Sequence, residues 1–387
     1  MRRKDSGKRK NIKRIAGLAL FIAVIAGIVH VSQQLFANDG SSESVRLQGF
    51  YMEEPDSLDI VVMGASEIMN DYCAPEVYRK HGYTSYPYAF AVNSVPLWKY
   101  ELAEIERTQH PQVLIIEANG ALYTEDKLID SKDCVRLLGD NMPVSENCIR
   151  YAFEKTDHPM ETIFPVLKYH YRWSDIGDES VKDRLLMMQN GYARLRGAMT
   201  PLYHTEFSSD NVYPADGTTA ALNEKGEAEL RAFLKVCKES EIPHIVFAEF
   251  PHILDTEKAY YRHQRANRAA EIIQEEGFDY IDFTREIDAI GLEYQEDFFD
   301  THHMVATGQR KLSDYIGKTV RDRYGITPKP QSDENRATWE DSAELIESFY
   351  RCYEEYTQAH SDKPHEEVDH DLSDTRRTIE ELDAMGR

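Results

Sequence analysis

Basic side chains are scarce in this sequence relative to acidic ones. Among 387 residues, 45 are Lys or Arg and 68 are Asp or Glu, which gives a formal net charge of −23. Affinity for a polyanion comes mainly from neutralising phosphates, so this balance excludes a nucleic-acid-binding protein. Cysteine is scarce too, with five residues, no C-x-x-C pair and no zinc-type ligand spacing, so we expect neither a metal nor a cofactor.

Apolar residues are sufficient for a folded core. Hydrophobic residues make up 41% of the chain and aromatic residues 11%, which excludes disorder throughout. The length allows one large domain or two modest ones.

The N-terminal segment combines a basic block with one long apolar run. Residues 1–14 hold eight Lys or Arg against Asp5, and the apolar stretch Ile15–Phe36 follows. These 22 residues can cross about 30 Å of hydrocarbon as a helix, and basic residues concentrate on the cytoplasmic side. We therefore expect residues 1–14 to be cytoplasmic, 15–36 to anchor the chain in the bilayer of the cell membrane, and the rest to be extracellular. A signal peptide cleaved at Ala37 is the alternative, although Leu35 fits such a site poorly.

The cysteines of an exported chain can form disulfides. Cys134 and Cys148 are close in a stretch that resembles a loop, so they are the first pair to consider. Cys237 lies in an amphipathic helical pattern that favours a buried thiol.

Four apolar runs bounded by turn signals predict buried parallel strands, with helical periodicity between them. The strands are expected at Asp59–Met63, Gln112–Ile116, His244–Phe247 and Tyr280–Phe283. The helices are expected at Ala74–His81, Pro96–Thr108, Asn223–Ser240, Lys258–Glu276 and Gly308–Tyr324. This pattern predicts a three-layer α/β domain over residues 45–326, with an irregular insertion over about 126–217.

The chain changes character after Ile326. Residues 327–358 read as a polar, Pro-containing linker followed by one accessory helix, Ala337–Gln358. Residues 359–387 are mostly charged or polar and read as an acidic, disordered tail.

Two short segments carry residues suited to nucleophilic catalysis. Ser66 follows the first strand directly after Gly64 and Ala65, where an open α/β sheet binds ligands, although a serine there can also be a plain helix N-cap. Near the other end of the domain, Asp300 and His303 are spaced so that the carboxylate can orient the imidazole. A capped helix start with surface histidines is the alternative for this second segment.

Taken together, these segments resemble the SGNH (GDSL-like) hydrolase superfamily. Ser66 in GAS, Asn119 in EANG and the Asp300-x-x-His303 pair followed by Gly308 match its blocks I, III and V in order and spacing. The sequence is also similar to membrane-anchored SGNH proteins of Gram-positive bacteria, including the one that acts in teichoic-acid D-alanylation.

The resemblance implies a role for each matching residue. Ser66 is the implied nucleophile, His303 the general base and Asp300 its orienting carboxylate. The implied oxyanion hole consists of the Ser66 backbone N–H, the Asn119 side-chain amide and a backbone N–H at Ala91. The sequence departs from the family at Ala91 and at three further positions, which are Ala89, Glu67 and Val305.

A third segment, with His170, Arg172 and Trp173, resembles an HxRW stretch of the same membrane-anchored group. Arg and Trp side by side can hold a sugar or an anion, or can simply pack the insertion on the core. His252, which follows the third predicted strand, is a further candidate at the same rim.

The resemblance implies a membrane-anchored serine esterase or O-acyltransferase. Its implied partners are an acylated envelope glycan as substrate and a membrane-bound O-acyltransferase. The alternative is an SGNH-fold scaffold without activity that binds a glycan or such an acyltransferase, which the departures at Glu67, Ala89 and Ala91 favour.

Overall fold

The structure is a computed structural model that describes residues 3–36, 42–175, 177, 179–202, 213–363 and 367. Most of the tail predicted for residues 359–387 lies outside the described residues. Within the described part the fold is α/β, with an all-parallel sheet of five strands and one long N-terminal apolar helix. The predicted α/β class with a parallel sheet is confirmed.

The strands are short, and almost every strand residue up to β4 is buried, so both sheet faces are covered. The five strands are β1 (Ile60–Gly64), β2 (Ser85–Ala89), β3 (Val113–Glu117), β4 (His244–Glu249) and β5 (Asp279–Asp282). Their order across the sheet is β2-β1-β3-β4-β5. The direction of winding therefore reverses between β1 and β3, and a crevice opens there at the carboxyl edge of such sheets.

Strand β2 was not predicted from the sequence. It reads Ser-Tyr-Pro-Tyr-Ala, and a proline argues against a central strand because it cannot donate to the ladder. The structure resolves this conflict by placing β2 at the edge, where it pairs only with β1, and Pro87 lies opposite Val62.

Helices make up the remainder of the regular structure. In the first half they are α1 (Arg3–Phe36), α2 (Ser42–Phe50), α3 (Ser66–Asp71), α4 (Ala74–His81), α5 (Val95–Thr108), α6 (Asp126–Ile129), α7 (Lys132–Asn141), α8 (Glu146–Lys155), α9 (Pro159–Ile163), α10 (Val166–Tyr169) and α11 (Glu179–Asn190). In the second half they are α12 (Glu224–Cys237), α13 (Glu257–Glu275), α14 (Ile287–Ile290), α15 (Tyr294–Asp297), α16 (Ala306–Tyr324) and α17 (Asp333–Ala359). Short 3₁₀ helices cover Ala118–Ala121, His170–Asp175 and Phe283–Glu286. The five helices predicted within the domain are present, with ends within three residues of the prediction, and the accessory helix predicted at Ala337–Gln358 is contained in α17.

Helix α1 contains a stretch, Asn11–Ser32, that is long and apolar enough to cross a membrane. Its side chains are exposed from Asn11 to Ile28, and burial against the rest of the chain begins only at Val29. Ser32 is buried.

The stretch that resembled a loop around the cysteine pair is helical, because Cys134 lies in α7 and Cys148 in α8. All five cysteines are free, so the structure does not contain the disulfide considered for this pair. Cys134 Sγ instead lies 3.4 Å from the carbonyl oxygens of Ala91 and Val92. Cys237 is buried in α12, as predicted.

The C-terminal helix α17 is fixed to the core through Arg196, which itself lies in a buried ion pair and donates to Thr338 and Ser342 of α17. Arg196 Nη1 donates to Glu53 Oε2 at 2.7 Å, and both side chains are inaccessible to solvent. The Arg196 guanidinium also stacks over the ring of Trp339 in α17, 4.2 Å from its centroid. The preceding segment binds the domain as well, since the Lys329 N–H donates to Asp59 Oδ1 at 2.8 Å.

A buried glutamate holds the loop after β2 against the end of β1. Asn93 Nδ2 donates to Glu101 Oε2 at 2.8 Å and to the Gly64 carbonyl oxygen at 3.1 Å. Burial raises the pKa of Glu101 to about 8, although the bond from Asn93 lowers it. The folded state therefore favours the protonated carboxyl group.

We expect this glutamate to make stability fall as pH rises. Its folded pKa lies above the unfolded value, so its contribution is complete below about pH 4.5 and is lost as pH approaches 8, at about 1.4 kcal/mol per pH unit. The melting temperature of Glu101→Gln should fall less between pH 5.5 and 9 than that of the wild type. The exposed Glu239→Gln serves as control, and equal falls in all three proteins would contradict this assignment.

Candidate active site

Ser66 is the first residue of α3 and lies directly beyond β1, at the crevice between β1 and β3. The turn that presents it requires a small residue at Gly64. A Cβ there would lie 2.5 Å from Glu117 Oε2, which accepts the Ala65 N–H at 2.6 Å. The half-buried Ser66 side chain thus stands on a turn fixed by its neighbouring strand.

His303 and Asp300 lie in the segment between α15 and α16. Asp300 Oδ1 accepts the backbone N–H groups of His302 and His303, both at 2.9 Å, and so shapes the turn itself. The other oxygen, Oδ2, lies 2.8 Å from His303 Nδ1. The carboxylate and imidazole therefore meet on a side-chain-capped turn, not on a helix as the spacing suggested.

The structure brings all three predicted residues into one hydrogen-bonded chain. His303 Nε2 lies 2.8 Å from Ser66 Oγ, across 237 residues of sequence. Burial raises the pKa of Asp300, but the hydrogen bond and the charge of His303 lower it by more. The net effect is a pKa of Asp300 below its usual value. An ionised Asp300 holds the proton of His303 on Nδ1, which leaves Nε2 to accept the Ser66 proton.

His302 points away from the serine. Its ring stacks on that of His252, with centroids 5.6 Å apart and an angle of 2° between the planes. Burial, and then the charge of His303, lower the pKa of His302. Asp300, His302 and His303 have ligand atoms within 4.8 Å of one another, a spacing that could hold a metal, but Asp300 and His303 already bind each other.

The Asn119 side chain reaches the same edge from the 3₁₀ helix that follows β3. Its Nδ2 donates to Glu67 Oε1 at 2.6 Å, while its Oδ1 accepts from Arg262 Nη2 at 2.8 Å. Since a guanidinium can only donate, Arg262 fixes the orientation of this amide. The Asn119 donor thus faces the Ser66 side of the crevice.

A carboxylate, that of Glu67, lies between the serine and this amide. Its Oε2 lies 3.3 Å from Ser66 Oγ, as a more distant alternative to His303 for the single Ser66 proton, and the Glu67 side chain is 2% exposed. Burial raises the pKa of Glu67, but the charges of Arg262 and of the two histidines of the 300–303 turn lower it by more. The net pKa lies below the usual value, so Glu67 is ionised. Glu67 therefore places a negative charge beside both the Ser66 hydroxyl and the Asn119 amide.

Ala91 does not join this group. Its N–H donates to Glu43 Oε1 of α2 at 2.8 Å, so it is already bonded and not open to a substrate. The loop turns at the next residue, Val92, whose φ of 57° is unusual for a β-branched side chain. The Ala91 N–H therefore does not serve as the donor that the resemblance implied at this position.

Arg262, in α13, is the site residue that the sequence did not reveal. One nitrogen donates to Asn119 and another to Glu249 Oε1, and Nη2 lies 3.7 Å from Glu67 Oε1. An arginine within an amphipathic helix belongs to no recognisable motif. The available signal was indirect, because Glu249 follows the predicted strand His244–Phe247 and was therefore expected at the same edge of the sheet.

Two further carboxyl groups share this one guanidinium. Burial raises the pKa of Glu249 to about 7, although Arg262 lowers it. Burial, and then the charge of Glu67, raise the pKa of Glu117 well above its usual value. Arg262 therefore faces one ionised carboxylate, Glu67, and a hydrogen-bonded carboxyl group, Glu249, whose pKa lies near neutrality.

The third segment lies elsewhere. His170 and Arg172 fall in the 3₁₀ helix that packs against α1 and α10, and neither bonds to Ser66, Asn119 or His303. Arg172 is buried and His170 is exposed. The side chain of Trp173 lies outside the described part of the chain.

No family model matches this chain, and no curated protein is detectably similar to it. The geometry of the site is therefore the feature of this chain that points to a function.

Removal of the Arg262 charge should destabilise the fold in a pH-dependent way. Arg262→Met leaves buried carboxylates unpaired, which typically costs about 3–5 kcal/mol. The loss of unfolding free energy should grow as pH rises above about 4.5. Above that pH the carboxyl groups ionise in the unfolded chain, whereas in the folded variant, without Arg262, burial keeps them protonated. Melting curves at pH 5.5 and 8.5 test this, with Arg265→Met as control, since Arg265 donates to the Leu122 carbonyl oxygen and not to a carboxylate. A penalty independent of pH would contradict the assignment.

Proposed function

We propose that this protein is a membrane-anchored serine esterase or O-acyltransferase of the SGNH type that acts on acyl groups of cell-envelope glycans. The observation that carries the proposal is the chain from Ser66 Oγ through His303 to Asp300, with both hydrogen bonds at 2.8 Å. Nucleophile and base within hydrogen-bond reach, with the base oriented by a third group, are the signature of an activated nucleophile.

In the proposed reaction Ser66 Oγ attacks the carbonyl carbon of an ester or thioester while His303 Nε2 takes its proton. The tetrahedral intermediate collapses to an acyl-serine, and His303 returns the proton to the departing alkoxide or thiolate. A water molecule or a glycan hydroxyl then attacks the acyl-serine by the same route. Asp300 stabilises the imidazolium in both halves.

The proposed oxyanion donors are the Ser66 N–H and Asn119 Nδ2. The first residue of a helix has no acceptor within that helix, so the Ser66 N–H faces the crevice. Asn119 must exchange Glu67 for the substrate oxyanion, while Arg262 holds its amide in the required orientation. Each such donor is typically worth about 10²–10³ in kcat.

The fold supports the same family. Strand order β2-β1-β3-β4-β5 is the flavodoxin-like order, and Ser66 and Asn119 follow the two strands at its switch point. We extend this to a three-layer arrangement of helices on both faces. We further propose that α1 is a retained anchor in the cell membrane with residues 1–14 cytoplasmic, so that a membrane-bound O-acyltransferase could be its partner.

A second candidate is a scaffold that binds a glycan or an acyltransferase without catalysis. The observation in its favour is that two implied oxyanion donors are bonded to carboxylates, Asn119 to Glu67 and Ala91 to Glu43. An anion beside the serine opposes the charge that develops on a substrate oxygen.

Labelling with a fluorophosphonate probe separates the two candidates. The full-length wild type should become covalently labelled, and Ser66→Ala should reduce labelling at least about 100-fold, because the nucleophile is lost. The exposed Ser174→Ala serves as the matched control and should label like the wild type. A folded wild type that does not react would favour the scaffold.

Neutralisation of Glu67 should accelerate that labelling. Glu67→Gln keeps the size of the side chain but removes the charge beside Ser66, and a unit charge at about 4 Å is worth about 4 kcal/mol at an effective dielectric constant of 20. We expect at least a tenfold faster reaction, equivalent to about 1.4 kcal/mol. Glu76→Gln, at a buried carboxylate of α4 paired with Arg79, is the control. Slower labelling of Glu67→Gln would instead mean that the carboxylate assists the serine.

A further inference from the structure

Exposed apolar side chains are concentrated in one part of the domain. Outside α1, ten large hydrophobic side chains are exposed among the described residues, and eight of them fall between residues 144 and 186. These eight are Val144, Ile149, Phe153, Met160, Leu167, Tyr171, Leu185 and Leu186. The other two, Val236 and Tyr261, lie on helices α12 and α13.

Four of these residues form two pairs with the spacing of one helical turn. Ile149 and Phe153 are four residues apart in α8, so they lie on one face, and Phe153 is 66% exposed. Leu167 and Tyr171 repeat the spacing across α10 and the 3₁₀ helix that follows it. Soluble surfaces rarely carry so many exposed apolar side chains in one segment.

This segment is packed on the end of the membrane-spanning candidate. Helices α10 and α11 and the intervening 3₁₀ helix all contact α1. A cavity of about 60 Å³ lies at that junction and is lined by His30 of α1 together with Val144 and Pro165. Because α1 is exposed up to Ile28, this contact lies at the last turns of the apolar stretch Asn11–Ser32.

We propose that the apolar face of residues 144–186, here called the interfacial face, is immersed in the lipid headgroup region of the leaflet from which α1 emerges. The proposal rests on the part of the proposed function that makes α1 a membrane anchor. A helix that ends its apolar stretch at the bilayer surface brings whatever packs on its last turns to that depth. Exposed Leu, Phe and Tyr side chains then gain by leaving water, and Tyr favours the interface.

Lipid fits this face better than a charged partner. Acidic residues slightly outnumber basic ones between residues 144 and 186, so attraction to anionic headgroups is not the source of binding. The driving force is burial of apolar area, and a neutral lipid should suffice. With α1 and the interfacial face both held, the domain has two points of attachment and a fixed tilt above the membrane.

Depth-dependent quenching tests this on the full-length protein in phosphatidylcholine vesicles. Single cysteines at Phe153→Cys and Leu167→Cys, in a Cys352→Ser chain whose other thiols are buried, carry an environment-sensitive fluorophore. Nitroxide lipids labelled near the headgroup should quench both positions at least about twofold more than Val236→Cys, an exposed aliphatic site outside the face. Iodide in the water should quench Val236→Cys most.

A fourth label, at Leu20→Cys within α1, separates failure of this inference from failure of the anchor. Lipids that carry the nitroxide deep in the acyl chain should quench this label whether or not the interfacial face contacts lipid. If Leu20→Cys is quenched by lipid but positions 153 and 167 respond to iodide like Val236→Cys, the proposal is overturned while the anchor stands. If Leu20→Cys itself responds to iodide, α1 does not span and the anchor fails. Shielding of 153 and 167 that disappears on dilution with lipid would identify a second copy of the chain as the occupant and would also overturn the proposal.

Discussion

The guanidinium of Arg262 is the charge on which the candidate site depends. Three carboxyl groups, from Glu67, Glu117 and Glu249, are buried at the carboxyl edge of the sheet, and burial of an unpaired carboxylate is costly. Arg262 donates to Glu249 and to Asn119 and lies within 4 Å of Glu67. One residue of α13 thus compensates the acidic ends of β3 and β4 and also sets the direction of the Asn119 amide.

That arrangement gives the site two competing properties. The chain from Ser66 to His303 and Asp300 has the heavy-atom distances of an activated nucleophile. Glu67, however, is ionised, accepts from Asn119 and lies 3.3 Å from Ser66 Oγ, so it holds the amide that we propose as an oxyanion donor. In the reaction that we propose, a substrate must therefore displace Glu67 from Asn119, and reactivity depends on how readily Glu67 releases that amide.

Much of the fold could be predicted because strands buried on both faces leave continuous apolar runs, as β1, β3 and β4 do. Strand β2 could not, since Pro87 is tolerated only by its place at the edge, which is a tertiary fact. The Ser66, Asp300 and His303 positions were predictable because short motifs sit at strand and helix ends. The role of Arg262 was not predictable, because its partners lie far away in the sequence. Ala91 was assigned as a donor by counting from a motif, but in the structure its N–H donates to Glu43, next to the turn at Val92.

The central claim is that Ser66 carries the acyl group during turnover, and acid quenching followed by peptide mass mapping tests it most directly. Wild-type protein is mixed with a small acyl ester, quenched within a turnover and digested. We expect an added acyl mass on the peptide that contains Ser66 and no such mass in Ser66→Ala. In His303→Ala, the acyl mass should exceed that of the wild type only if deacylation depends on His303 more than acylation does. An acyl mass on any other residue, or none on a folded protein that consumes the ester, would contradict it.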